Sequence, residues 1–229
     1  MSKYIAPLAI ASSLALAAPA LADTQSYDVR NFDGIDVSSG IQVSFETGVA
    51  RSVIVENKDG DFSDIIVEVD DGDLILKRPR KLGWSGKRTP YKVTVGVKTL
   101  SDIEASSGAY VTGGGMSGDV DIDVSSGAKV VVAGVNAGEV ELESSSGSNV
   151  EVSGSCTEVD ADASSGASID ASNLQSTALI ADVSSGASIR AYATDRVEAD
   201  ASSGGSVNVA GGATNVSIEK SSGGSVSVS

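Results

Sequence analysis

From Phe32 onward, apolar and polar residues alternate in short runs, and one tripeptide, Ser-Ser-Gly, interrupts the runs eight times. Its glycines are Gly40, Gly108, Gly127, Gly147, Gly166, Gly186, Gly204 and Gly223, and from Gly108 the successive gaps are 19, 20, 19, 20, 18 and 19 residues. Alternation with period two describes strands, and a fixed period near twenty residues describes a solenoid in which each repeat is one rung. Five residues before each glycine stand Ile35, Ile103, Ile122, Leu142, Ala161, Ala181, Ala199 and Ile218. Three residues after it stand Val43, Val111, Val130, Val150, Ile169, Ile189, Val207 and Val226. The position just after the glycine is small in every rung but the first, where Ile41 occupies it. Each rung therefore reads as two short strands with their odd positions inward, joined at a corner where glycine supplies positive φ. The serines can bond to nearby backbone or stack on those of the next rung. So short a rung cannot bury its own apolar face and needs a neighbour on either side. The pattern predicts an all-β, single-stranded right-handed parallel β-helix with rungs of about 19–20 residues.

Residues 23–100 depart from this period. Strand-like runs fall at 41–46, 52–56, 64–69, 73–77 and 91–97, with turn signals at 57–61 and 70–72. They predict an irregular N-terminal β region that belongs to the same domain and caps the regular repeats of residues 101–229, since terminal repeats are atypical. Residues 1–22 read as a signal peptide: Lys3 precedes a short apolar stretch, and Ala20-Leu21-Ala22 forms a cleavage pattern. Cleavage near Ala22 would leave 207 residues beginning at Asp23. The apolar stretch is too short to span a bilayer, and with no cysteine at the cleavage site there is no lipoprotein signature. The expected destination is the periplasm, or the medium or cell surface.

The outward positions carry the charge. Four residues before each glycine the chain is always acidic, with Asp36, Glu104, Asp123, Glu143, Asp162, Asp182, Asp200 and Glu219. Asp102, Asp121, Glu141, Asp160 and Glu198 add a second set two residues earlier. If the rungs stack in register these carboxylates form a ladder, in which neighbours about 5 Å apart repel by roughly 1 kcal/mol even in water. Such a face is either a solvated surface that keeps the sheet soluble or a strip that associates with Ca²⁺ or polycations through hard oxygen ligands. No cofactor is implied beyond that Ca²⁺ association. Residues 101–229 contain 18 acidic and four basic residues within a chain of net charge −15, which argues against a nucleic-acid partner. Seven of the 16 basic residues instead crowd into residues 77–92, among them Arg80, Lys81, Lys87 and Arg88 around Trp84, the single tryptophan. That segment is either a flexible basic hairpin tip or a contact loop for an acidic glycan, lipopolysaccharide or a partner protein.

Nothing in the chain points to catalysis. Histidine is absent, and the single cysteine, Cys156, has no imidazole to activate it and reads as a bland corner thiol. No Gly-x-Ser-x-Gly elbow occurs. Paired carboxylates can hydrolyse glycosides, but a catalytic pair is a local exception, whereas these recur in every rung.

An ordered set of motifs resembles a known family. It opens with Phe32-Asp33-Gly34-Ile35-Asp36-Val37 and the strand Val43-Ser44-Phe45, then Asp73-Leu74-Ile75-Leu76, the strand Val93 to Val97, and Leu100-Ser101-Asp102-Ile103, before the Ser-Gly turns. Together these are similar to the auto-transporter adhesin, head GIN domain family of bacterial envelopes, over residues 27–229. The resemblance implies an exported, non-enzymatic β-helical protein and carries over no catalytic residue. The function expected is cell-envelope binding through an acidic repetitive surface, with an envelope glycan or protein as partner. The alternatives are a purely structural envelope protein and, third, a carbohydrate-active enzyme. The strand Val226-Ser227-Val228 predicts, in addition, end-to-end self-association.

Overall fold

A computed structural model describes residues 22–79 and 89–229. Every regular element in it is a strand, and the fold is a parallel β-solenoid. The signal-peptide assignment lies outside the described residues apart from Ala22.

The regular part begins with β8 (Asp102–Ala105) and β9 (Tyr110–Gly114), the two sides of one rung. It continues through β10 (Ser117–Val124), β11 (Lys129–Ser144), β12 (Asn149–Ser155), β13 (Glu158–Ala163), β14 (Ser168–Val183) and β15 (Ser188–Ala201). It finishes with β16 (Ser206–Ala210), β17 (Asn215–Lys220) and β18 (Ser225–Val228). The long strands β11, β14 and β15 each run from one corner to the next, bending at register shifts. Parallel pairing aligns like with like: Ile103 faces Ile122, Ile122 faces Leu142, and Leu142 faces Ala161. The inward residues of this column are at most 2% exposed from Ile35 to Ala199. Where the column narrows to alanine, Leu174 and Leu179 from the same rungs are fully buried and fill the space.

Each corner is a tighter device than glycine alone predicts. The second serine also takes positive φ, from Ser222 at 47° to Ser39 at 66°, followed by the glycine at 71° to 83°. Two consecutive left-handed residues define a type I′ turn. Its closing bond is present, as in Ala109 N–H to the Ser106 carbonyl and Ala128 N–H to that of Ser125, both 3.0 Å. This inversion also reverses the direction of bonding between rungs. Ser125 N–H donates back to Ala105 of the preceding rung, whereas Gly127 N–H donates forward to Ser146 of the next. The corners thus form their own hydrogen-bonded stack from Gly40 to Ser203.

The N-terminal region is the same sheet system threaded out of order. β2 (Gly34–Val37) and β3 (Gln42–Glu46) form the first rung in sequence, yet β6 (Asp73–Lys77) and β7 (Lys92–Gly96) lie outside it. β2 is sandwiched between β6 and β8, and β3 between β7 and β9, all parallel. Three antiparallel strands then close this end. β5 (Ile66–Asp70) covers β6, β4 (Ser52–Asn57) covers β7, and β1 (Asp23–Tyr27) lies on β4.

The outermost rung has no Ser-Ser-Gly. Arg78 and Tyr91 flank its corner, and Tyr91 is fully buried beside Ile41, at the place that small residues take in the later rungs. The Arg78 guanidinium lies 4.5 Å over the Tyr91 ring and pairs with Asp64. Tyr91 shares its one hydroxyl proton between the Asp61 carbonyl and the Asp64 carboxylate. Burial, helped by Asp64, pushes the Tyr91 phenol up to about 12.

Candidate functional site

The outward face of the strands preceding each corner carries the acidic residues, and the register is unbroken. Asp36 pairs with Glu104, Glu104 with Asp123, Asp123 with Glu143, and Glu143 with Asp162. Asp162 continues to Asp182, Asp182 to Asp200, and Asp200 to Glu219. Parallel pairing without shifts sets these eight carboxylates in one column with a spacing of about 4.8 Å. A second column runs beside it as Asp102, Asp121, Glu141 and Asp160, is interrupted by Ile180, and resumes at Glu198. Asp73 extends it beyond Gly34. Here the missing side chain is required, because a Cβ on Gly34 would lie 1.9 Å from Asp73 Oδ1. The Asp73 carboxylate therefore folds over Gly34 toward Asp102.

The electrostatic consequence is uniform in sign. Burial, then Asp121, Asp73, Glu104 and Asp33 in turn, push Asp102 up to about 6. Glu104, Asp121, Asp160 and Asp182 also lie above their ordinary values, through partial burial first and neighbouring carboxylates second. Glu143 shifts the same way for the same reasons, while for the exposed Glu141 the field of Asp121 leads. Asp73 rises through burial and the charges of Asp33, Asp36 and Asp71. Like charges that cannot separate hold their protons more tightly.

Among the described residues, no side-chain hydrogen bond or ion pair engages a carboxylate of either column. The opposite face differs: Lys129 pairs with Glu151 and Arg190 with Asp170, and Ser188 bonds to Ser168. Arg196 pairs with Glu158 at 2.8 Å, just outside the second column. One face neutralises itself, and the other is left to solvent and counterions.

Two open depressions lie along the acidic face. One, of about 420 Å³, sits between the carboxylates Asp162, Asp182 and Asp200 and the serines Ser184, Ser202 and Ser221. The other, about 260 Å³, runs between Asp182, Glu198, Asp200 and Glu219. Their linings are polar, unlike the mostly apolar clefts that hold small molecules. Among the described residues, no three or more Asp, Glu or Cys side chains converge on a point that could hold a metal ion. The columns present oxygens in a line, which suits loosely held or bridging cations better than a caged one.

The other sequence-level candidates fall into place unequally. Arg80, Lys81, Trp84, Lys87 and Arg88 lie outside the described residues. The described residues flanking them, Arg78 and Thr89, are joined by a guanidinium-to-carbonyl hydrogen bond at the corner of the outermost rung. Cys156 is half-buried, and burial pushes its thiol up to about 11, away from reactivity. Two features had little sequence signal. The Arg78–Asp64–Tyr91 cluster assembles from three separate segments. Ser148, a polar residue where most rungs have alanine or glycine, is buried and shares its one hydroxyl proton between the Ser145 and Val124 carbonyls, each at 2.7 Å, while accepting from Ser144.

Known proteins share this architecture. The structure is similar to that of a putative adhesin from Bacteroides fragilis, with a TM-score of 0.82 and 20% identity over 91% of this chain and 97% of that one. It is also similar to a putative lipid binding protein from Parabacteroides distasonis, with a TM-score of 0.70 and 14% identity over 92% and 98%. A putative adhesin from Parabacteroides merdae matches with a TM-score of 0.70 and 16% identity over 92% and 97%. At these identities the likeness is one of fold. No curated protein matches. Residues 31–213 match the family described as "Putative auto-transporter adhesin, head GIN domain", and with that the chain belongs to this family.

Proposed function

We propose that this protein is an exported, non-enzymatic, adhesin-like module of the bacterial cell envelope that holds an extended partner along its acidic face. The observation that carries this reading is the unbroken column of eight carboxylates, set in register with no counter-charge from the described residues. A regular line of charge with a repeat near 4.8 Å suits a linear ligand whose groups recur at similar intervals. Such a ligand is a cationic envelope polymer or protein segment, or an anionic glycan bridged through Ca²⁺. Repulsion between neighbouring carboxylates favours either, because each cation that binds relieves strain already present.

The names of the structural relatives and the family support an envelope role. The leader-like first 22 residues support export, to the periplasm or the cell surface. Among the described residues no helix is long and apolar enough to cross a membrane. The uniform repetition of the carboxylates supports a binding surface over a catalytic pair. The segment containing Arg80, Lys81, Trp84, Lys87 and Arg88 is proposed as a second contact on the grounds of its composition, a single tryptophan among basic residues.

The test is retention of the mature chain on cell-envelope fractions, with a variant carrying Asp123→Asn, Glu143→Gln, Asp162→Asn and Asp182→Asn. Retention should fall at least tenfold (about 1.4 kcal/mol) while the circular dichroism spectrum stays that of the parent. Unchanged retention would remove the face from function and leave the structural reading. Calorimetric titration with CaCl₂ to ~1 mM separates the two ligand classes, since weak extracellular calcium sites respond in that range. A Trp84→Ala variant with full retention would remove the basic segment from consideration.

A further inference from the structure

The two ends of the solenoid are built differently. At one end β5 and β4 cover the outermost rung with antiparallel strands; the polar β1, Asp23-Thr24-Gln25-Ser26-Tyr27, lies beyond β4, and β5 keeps its own outer edge unpaired among the described strands. At the other, among the described residues, β17 pairs only with β15, and β18 only with β16. Their inward-facing side chains lack the cover that every earlier rung receives. Val216 and Ile218 are 40% and 38% exposed, whereas their register partners Val197 and Ala199 are 0% and 2% exposed. Val226 and Val228 are half-buried above Val207 and Val209, which are buried. The surface thus combines an apolar strip with two strand edges, and what fits it is another pair of strands.

The sequence of those edges says which pair. Ser225-Val226-Ser227-Val228-Ser229 reads the same in both directions. Asn215-Val216-Ser217-Ile218-Glu219 is symmetric in kind about Ser217, with β-branched residues on either side and polar residues outside them. We infer that β17 and β18 are a two-fold dimerisation surface, on which a second copy of this chain pairs antiparallel, β17 with β17 and β18 with β18. An axis through Ser217 and Ser227 makes this pairing self-consistent. It places Val216 against the partner's Ile218 and Val226 against the partner's Val228, all on the inward side. It also places Asn215 against the partner's Glu219, so the column of eight carboxylates ends against an amide. Parallel stacking of a further copy would instead carry the like-charge column on. An isologous contact of this kind closes on itself, and the antiparallel strands at the other end remain outside it.

The test is sedimentation and light scattering of the mature chain across a wide concentration range. A discrete monomer–dimer equilibrium is expected, and it should strengthen with salt, because each mature copy has 31 acidic and, without Lys3, 15 basic residues, a net charge of −16, and screening shortens the repulsion to about 10 Å at 0.1 M. In a Cys156→Ser background, Ser217→Cys should form an intermolecular disulfide under mild oxidation, since facing antiparallel residues lie about 4.5–5.5 Å apart. The double variant Val216→Lys, Ile218→Lys should weaken the dimer at least about tenfold. Both positions are already exposed, and an unchanged circular dichroism spectrum distinguishes a lost interface from a lost fold. A monomer at the highest concentration would overturn the inference. So would a ladder of ever larger species, the mark of head-to-tail contact with β5, or a dimer in which the Ser217→Cys variant fails to cross-link.

Discussion

Replacing Asp102 by asparagine tests the electrostatics of the acidic face at its most crowded point. Asp102 sits in the second column, with the Asp73 carboxylate folded over Gly34 on one side and Asp121 on the other. Burial and these neighbours raise its carboxyl from 3.8 to about 6. For a group wholly shielded from water such a change corresponds to about 3 kcal/mol. Asp102 is only half-buried, so solvent screening reduces this to about 1–1.5 kcal/mol. The sign follows from the proton count. A carboxyl whose folded pKa lies above its unfolded value binds its proton more tightly in the native state. Its favourable contribution is therefore complete below pH 3.8 and lost as the pH rises through about 6. At pH 7.5 the native protein carries an unfavourable charge that Asp102→Asn removes, and the variant should be more stable by about 1–1.5 kcal/mol. For a domain of this size that raises the melting temperature by about 3–5 °C. The parent should also gain stability on acidification from pH 7.5 to 5, and the variant should gain less. Thermal melts followed by circular dichroism at half-unit pH steps measure both. A variant that melts at or below the parent at pH 7.5, or a parent whose stability rises steadily with pH, would refute the reasoning.

Further substitutions probe the corners and the closed end. Gly147→Ala places a Cβ in open space at φ 71°, so only the left-handed backbone opposes it and the cost should be about 1 kcal/mol by chemical denaturation. Gly154→Ala puts the same atom 2.1 Å from the Val135 carbonyl oxygen, where backbone must move, and should cost more than about 3 kcal/mol; equal costs would contradict the steric argument. Ser126→Asn keeps a polar side chain but suits the left-handed conformation at φ 51° better, and should raise the stability by about 0.5 kcal/mol. A loss would show that the serine hydroxyl matters to the turn. Arg78→Ala strips the guanidinium from Asp64, which keeps only the Tyr91 hydroxyl, and the cover from the Tyr91 ring, so a loss of about 2–3 kcal/mol is expected. Hydrogen exchange should show that loss concentrated in β5 to β7, and protection unchanged there would argue against the cluster as a clamp.

What could be read from the chain beforehand depended on whether the signal was local and repeated. The inward columns, the corner position and the acidic register all follow from period-two alternation sampled eight times, so that one rung's ambiguity is corrected by the next. The strands expected at 52–56 and 73–77, and found at 52–57 and 73–77, were legible for the same local reason. The order of the first rungs was not. Nothing in the alternation of β2 and β6 says that residues 73–77 lie outside residues 34–37, because both present equivalent inward pairs, Ile35 and Val37 against Leu74 and Leu76. Ser107 and its equivalents at positive φ were missed because serine is an ordinary strand-end residue. Only the doubled left-handed turn makes it special. The tyrosine at position 91 gave no hint that it fills the place of the small residue beside the corner, since its partners, Arg78 and Asp64, come from separate segments.

The out-of-order threading at the closed end has a consequence for how the chain finds its structure. β2 needs β6, about 40 residues later, and β8, about 70 residues later, before either of its edges is satisfied. Closing loops of that length is entropically costly, and the cost is met before any rung has a finished neighbour. Beyond β9 each new rung contacts one that precedes it by only about 20 residues. Folding should therefore resemble crystal growth: a slow seed formed by residues 34 to 114, then rapid layer-by-layer addition toward the C-terminal end. Mutations in β2, β6 or β8 would slow the seed, whereas those in β15 to β18 would fray the growing edge. A chain emerging N-terminus first would stay extended until most of its first half had been delivered, a favourable property for a polypeptide threaded unfolded through a membrane pore.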